Sequence, residues 1–365
     1  MKNQRGGETV VPRFTWLISI GLVLLTSCNA LAFEVKDSGL VLANPLTKVI
    51  FWADEKHVVA SIFEKEAWIA GDGTKKGVES IFVWNVETNE LRRHAGPGTG
   101  GLCVGNGVLR YFQRRLADDK YEQLDRYYGP LGHEQKVVLT GPIDKDTCRL
   151  ESDLPGKPYW LEEAKKSGRI FKPLKPEHGW LEFIGGDRGF ADLPWYPVAV
   201  HAQHDKDQPI LIDTSIFQPW LDQGYTVRLL RHEAFKNAYL LGLDDTQGSG
   251  NKKIGNLWWL YADGRLEEIL NYGRDGNWKS ARYNTVIPTK TTLLLIGTET
   301  HPKDKSGLYR EISGRNLEMV ISGYLAGGGY ALSPDGCKLA FGMDPRGFPN
   351  SRYRLHIIDV CQKVK

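Results

Sequence analysis

Along most of this chain apolar residues come in short runs broken by turn residues, the pattern of a protein built from strands. The clearest stretch lies near the C-terminus. It reads Tyr330-Ala-Leu-Ser-Pro-Asp-Gly336, then Cys337-Lys-Leu-Ala-Phe-Gly-Met-Asp344, then Tyr353-Arg-Leu-His-Ile-Ile-Asp-Val360. Ser-Pro-Asp-Gly is turn chemistry: proline pre-sets the first central torsion and glycine tolerates the exit. The segment therefore predicts strand, tight turn, strand, loop, strand.

Earlier segments fall into the same register. Trp180–Asp187, Ala238–Asp244 and Thr292–Glu299 each show an apolar run, a glycine, and an acid two residues later. The glycines at 185, 242, 297 and 342 stand 57, 55 and 45 residues apart, a spacing near the repeat length of propeller blades. Leu257–Leu270 also lies over Leu308–Ile321, each a strand, a turn and a strand. Two weaker units precede these. One comprises Lys48–Ala53, Val58–Phe63, Ser80–Val86 and Leu91–His94; the other comprises Leu102–Gly105, Val108–Arg115, Tyr121–Tyr128 and Gln135–Leu139. Six units then begin near residues 48, 101, 169, 225, 282 and 329.

The expected fold is all-β, a six-bladed β-propeller of four-stranded antiparallel blades spanning 38–361 as a single domain. Seven blades are the alternative, and residues 142–168 read instead as an insertion, with Tyr159–Lys166 as a short helix. A β-sandwich lacks the repeated register. The last unit lacks a fourth strand, while Gly39–Ala43 is a strand with no place in the first unit. The last blade is therefore expected to be closed by this N-terminal strand, which removes an unpaired edge. The Ser-Pro-Asp-Gly phrase and its flanking strands resemble the WD-like repeat of TolB-like propellers, most specifically over 225–361 and without the separate N-terminal domain of that family.

The first residues read differently. Lys2, Arg5 and Arg13 precede an apolar run of twelve residues, Phe14–Leu25. A bilayer core needs roughly 20, so the run fits a signal peptide, 1–27, or to 32 if ordinary signal peptidase cuts after Ala30-Leu31-Ala32. Leu25-Thr-Ser-Cys28 resembles the lipobox of bacterial lipoproteins, making Cys28 the candidate lipidation site, and by resemblance to lipoprotein sorting Asn29 suggests the outer membrane. The expected location is the periplasm or outer membrane, with a soluble periplasmic or secreted form as the alternative.

Charge narrows the partners. With 47 basic and 44 acidic residues and a net charge of +3, nothing favours nucleic acid, and membrane contact is expected only through a lipid anchor. Beyond Cys28 there are Cys103, Cys148, Cys337 and Cys361. Cys337 starts the second strand of the last unit and Cys361 ends the third, so antiparallel pairing brings them to the same end. That leaves Cys103, at the start of a first strand, for Cys148 on the long-loop rim. Free buried thiols are the alternative.

Because propeller strands alternate direction, connections between second and third strands, and between blades, share one rim. The long segments 64–79, 142–168, 187–195, 214–224, 244–255, 271–281, 299–306 and 343–352 all fall there, and the tight turns fall almost wholly on the other. Long loops on a rigid frame carry binding residues, and tryptophan and arginine are the types enriched at hot spots. The binding-face candidates are Trp68, Trp160, Arg188, Trp195, Trp220, Lys252, Arg274 and Trp278; for each, packing of a loop onto its blade is the alternative role.

No Gly-x-Ser-x-Gly, phosphate-loop or His-Glu-x-x-His motif occurs. His201-Ala-Gln-His204 places its histidines on opposite strand faces, and Asp244–Gly250 lacks the carboxylate spacing of a calcium loop. The expectation is a non-enzymatic module without cofactor or metal that binds a protein, peptide or glycan of the cell envelope. The alternative is a lactonase-like hydrolase with a divalent metal in its central channel, whose ligands are scattered over blades and leave no motif.

Overall fold

The computed structural model describes residues 33–43, 49–69, 75–105, 107–117, 120–137, 148, 170–175, 177–184, 195–202, 208–245, 256–271, 283–297, 306–313, 316–344 and 353–362. Blade 1 holds β2 (Ile50–Trp52), β3 (His57–Ile69), β4 (Lys75–Asn85) and β5 (Glu90–Ala95). Blade 2 holds β6 (Thr99–Gly105), β7 (Val108–Ala117), β8 (Lys120–Pro130) and β9 (Gln135–Val137). Blade 3 has β10 (Ile170–Pro173), β11 (Trp180–Ile184), β12 (Tyr196–His201) and β13 (Ile210–Leu211). Blade 4 has β14 (Tyr225–Glu233), β15 (Ala238–Asp245), β16 (Asn256–Leu260) and β17 (Leu266–Asn271). Blade 5 has β18 (Tyr283–Pro288), β19 (Leu293–Gly297), β20 (Gly307–Ser313) and β21 (Asn316–Ser322). Blade 6 combines β22 (Tyr324–Leu332), β23 (Lys338–Asp344) and β24 (Arg354–Asp359) with β1 (Val35–Val41), in the order β1-β24-β23-β22. The described residues form six four-stranded antiparallel sheets, the blade number expected from the repeat.

Closure by an N-terminal strand is thus observed, four residues earlier than expected. β1 pairs antiparallel with β24 from Val35↔Ile358 to Val41↔Arg354. Its polar stretch Lys36-Asp37-Ser38 hid the strand, yet these residues are bonded: the Ser38 hydroxyl donates to the Leu355 carbonyl at 2.8 Å, and Arg354 reaches Asp37 at 3.2 Å. Phe33, Val35 and Leu40 pack on the apolar layers of the neighbouring blades. A second seam joins the first and last blades, where Trp52 Nε1 donates to the Ala331 carbonyl at 2.9 Å.

A blade is sandwiched between two neighbours, so its middle strands are buried on both faces. Every residue of β16 is buried, as are Leu339–Asp344 of β23. Such strands read as continuous apolar runs, and each large side chain so buried contributes roughly 1.5–3 kcal/mol. Outer strands have one solvated face, and both residues of β13 are exposed. Among the described residues, apolar clusters join blades 1 and 2, 3 and 4, 4 and 5, 5 and 6, and 6 and 1. Between blades 2 and 3 the connecting segment lies outside the described residues except for Cys148, which is buried and disulfide-bonded to Cys103 of the inner strand β6.

Both expected disulfides are present, Cys103–Cys148 and Cys337–Cys361. One placement differs. Cys103 lies two residues before the end of β6, near the short-turn side, because that strand begins at Thr99 with glycines 100 and 101 masking it. The sixth blade likewise begins at Tyr324 rather than 329, its early part hidden by glycines 327–329.

Segment 64–79 is also not a loop throughout. β3 and β4 remain paired out to Ile69↔Lys75, an arm on which Trp68 is in register with Lys76. In the sequence Glu64-Lys65-Glu66 breaks the apolar run, so this part of the hairpin reads as loop.

Two glycines of the repeat have visible causes. A Cβ on Gly242 would lie 2.9 Å from Cδ1 of Leu230, the residue at a pairing irregularity in β14, and 3.3 Å from Leu257 Cδ2. At Gly336, in the Ser-Pro-Asp-Gly turn, φ is +73° and a Cβ would sit 2.5 Å from the Phe235 ring.

Candidate ligand-binding face

The long-loop side is best described where blades 3 and 4 meet. Trp195 enters β12 there, and its carbonyl accepts a hydrogen bond from the Val227 N–H of β14 at 2.9 Å. Its half-buried indole packs 5.2 Å from the buried Phe183 ring. Lys172 of inner strand β10 places Nζ 4.6 Å from the Trp195 ring centroid and 5.2 Å from that of Phe183, within cation–π range. Burial and the neighbouring Arg228 guanidinium lower the Lys172 pKa. Arg228, from β14, is exposed.

Between β13 and β14 a 3-10 turn, Thr214–Phe217, runs into the short helix α1 (Gln218–Leu221). Asp213 starts it by accepting hydrogen bonds from the Ser215 N–H at 3.0 Å and hydroxyl at 2.6 Å. Phe217 anchors the turn edge-on to Trp258 at 5.1 Å, which leaves Trp220 half-buried and edge-on to Tyr225 at 5.8 Å.

Deeper along β14, Arg231 joins non-adjacent blades. Nε donates to Glu233 and Nη1 donates at 3.1 Å to the Tyr330 hydroxyl of β22. Toward the short-turn side, His178, His232 and Tyr239 cluster: the Tyr239 hydroxyl lies 2.9 Å from His178 Nδ1 and accepts the Lys175 N–H at 2.7 Å. Burial first, then Lys175, pushes His232 down to about 4.

Of the eight candidates chosen by residue type, Trp195 and Trp220 meet at this one blade interface, each also packing its segment onto the blades. Trp68 lies on the blade 1 arm. Trp160, Arg188, Lys252, Arg274 and Trp278 lie outside the described residues, as does Cys28. Lys172, Arg228, Arg231 and Tyr330 were missed, although a charge on the first strand of a unit was a signal the register made readable.

Among the described residues no group of three or more His, Cys, Asp or Glu is placed to hold a metal. His201 is buried against Glu182, Nε2 to Oε2 2.6 Å, and His204 is outside the described residues. On the short-turn side an open groove of about 580 Å³ lies between blades 4 and 5, lined by Phe235, Trp259, Lys290 and Glu311 among others. Its Thr289 and Thr292 hydroxyls are spent on the Thr292 and Glu311 carbonyls, at 2.7 and 3.1 Å. No helix among the described residues is long and apolar enough to cross a membrane.

No protein-family model and no curated protein matches the sequence. Solved structures do. The chain is similar to the β-propeller domain of the Trilobed protease from Pyrococcus furiosus, with 7% identity over 89% of this chain and 96% of that one and a TM-score of 0.46. It is similar to the acylaminoacyl peptidase of Pyrococcus horikoshii, with 8% identity over 86% of this chain but 52% of that one and a TM-score of 0.44. A luciferin-regenerating enzyme is similar at 7% identity, over 90% of this chain and 95% of that one, with a TM-score of 0.36. At these identities the likeness is one of fold alone.

Proposed function

We propose that the ring is a binding module of a bacterial cell envelope that engages a protein, peptide or glycan through its long-loop side. One observation carries this reading: at the blade 3–4 interface that side gathers Trp195, Trp220 and Tyr225 beside the cations Lys172 and Arg228. The short turns opposite are occupied with themselves. Asp54 accepts the Lys56 and His57 N–H groups, Asn85 those of Glu87 and Thr88, and Asp335 that of Cys337.

β1 starts opposite Ile358, at the short-turn end of β24, so residue 33 enters the ring on the short-turn side. Two disulfides are compatible with export to an oxidising compartment.

A crosslinking pull-down from the native envelope, run with wild type and with Trp195→Ala plus Trp220→Ala, tests the reading alongside elemental analysis of the purified protein. The expected result is a partner whose capture the double variant abolishes, with no stoichiometric metal. A stoichiometric divalent metal, with capture indifferent to both substitutions, would point to the channel-metal hydrolase instead.

A further inference from the structure

The open groove on the short-turn side is walled by Phe235, Trp259, Ile269 and Leu293. All four belong to the apolar layer between blades 4 and 5, so the groove is the place where that layer runs open at the rim. Glu311 of β20 also lines it. Tyr309 of the same strand packs into the layer, and residues two apart on a strand share a face, so Glu311 points the same way.

The charges of the groove do not cancel. Lys236 is paired with Glu267 at 3.0 Å, and Lys290 lies in the field of Asp335. Glu311 gives its carbonyl to the Thr292 hydroxyl, while its carboxylate has no hydrogen-bond or ion-pair partner among the described residues. An apolar floor beside one such carboxylate suits a short segment that is both apolar and basic.

The chain brings a segment of that kind to the rim. Gly336 ties three parts together: its carbonyl accepts the Lys290 N–H at 2.9 Å, a Cβ on it would meet the Phe235 ring at 2.5 Å, and its neighbour Cys337 is disulfide-bonded to Cys361. Thr291, which lines the groove, donates its hydroxyl to the Val360 carbonyl at 2.8 Å. The end of the last blade is thus fixed beside the groove, and the residues after Gln362 are Lys363, Val364 and Lys365. An extended chain covers about 3.3–3.6 Å per residue, so four residues carry Val364 up to about 13 Å from Val360.

We propose that Lys363–Lys365 dock in the blade 4–5 groove, with the Val364 side chain on the apolar floor and a lysine ammonium on Glu311. A short tether holds such a segment at roughly millimolar local concentration, so a contact too weak to form between molecules is populated within one. The lysine stem covers apolar surface while its ammonium stays at the rim. Docked, the segment closes the groove. The proposal is independent of the long-loop reading, because it concerns another blade interface and requires no outside partner.

The test places a photoreactive benzoylphenylalanine at position 364 of the purified protein and maps the adducts by mass spectrometry after irradiation. Adducts are expected at Phe235, Trp259, Ile269 or Leu293 of the same chain, at a yield that does not change with protein concentration. Glu311→Gln is expected to lower that yield roughly two- to fivefold, as for loss of a half-exposed ion pair, and rising salt to lower it as well. Should Glu311→Gln fail to fold by circular dichroism, Lys363→Gln with Lys365→Gln carries the same expectation. Hydrogen exchange gives an independent reading: the amides of 288–293 are expected to exchange faster when 363–365 are deleted. Adducts on other segments or only between two chains, a yield indifferent to the folded variants, or exchange unaltered by the deletion would overturn the docking.

Discussion

His232 is neutral in the ring because burial and Lys175 hold its pKa near 4, against 6.5 for a free imidazole. The unfolded chain therefore binds a proton that the fold refuses, and stability is fully present above pH 6.5 and lost as pH falls toward 4. His178 and His356 are shifted the same way, burial leading in both. Thermal melts across that window are expected to show a falling Tm, and His232→Gln to flatten part of the slope; an unchanged slope would count against the burial argument. Gly336→Ala is expected to cost about 1–3 kcal/mol, read from denaturant melts, because the left-handed turn residue abuts the Phe235 ring. Residue type alone pointed to Trp195 and Trp220, which the structure places at the blade 3–4 interface, packed against Phe183 and Tyr225. It did not point to Lys172 or Arg228 beside them, because a lone cation in a strand ordinarily marks a solvated face.

At the scale of elements, legibility follows burial. Middle strands such as β16 and β23 are sandwiched between neighbours and announce themselves as apolar runs. The β3–β4 arm does not, because Glu64-Lys65-Glu66 interrupts the apolar run while backbone pairing continues to Ile69↔Lys75. β1 was found by counting, since the last blade was one strand short, while its polar start was hidden. Deleting residues 33–45 removes that strand and part of two apolar layers, so the whole ring should melt at a markedly lower temperature. An unaltered Tm would refute closure by β1. The Cys337–Cys361 disulfide ties the first turn of blade 6 to the end of β24. Replacing both cysteines by serine is expected to cost about 3 kcal/mol in chemical denaturation, the closure entropy of a loop that length; a variant as stable as wild type would remove the staple from the account.

For the whole molecule, six repeated sheets closed by an N-terminal strand impose two unlike sides. One is built of turns that satisfy themselves; the other receives the long segments, the paired arm of blade 1 and the aromatic and cationic residues at blades 3 and 4. The repeat makes this sorting readable in the sequence, because alternation of strand direction assigns every connection to a side. It could not show which loop residues converge, since that depends on how blades pack. The claim that the long-loop side is the binding side is tested most directly by placing a photoreactive residue at position 220 or at position 263, one on each side, and irradiating intact cells. Adducts with a partner at 220 and none at 263 are predicted; adducts at 263 alone would contradict the account.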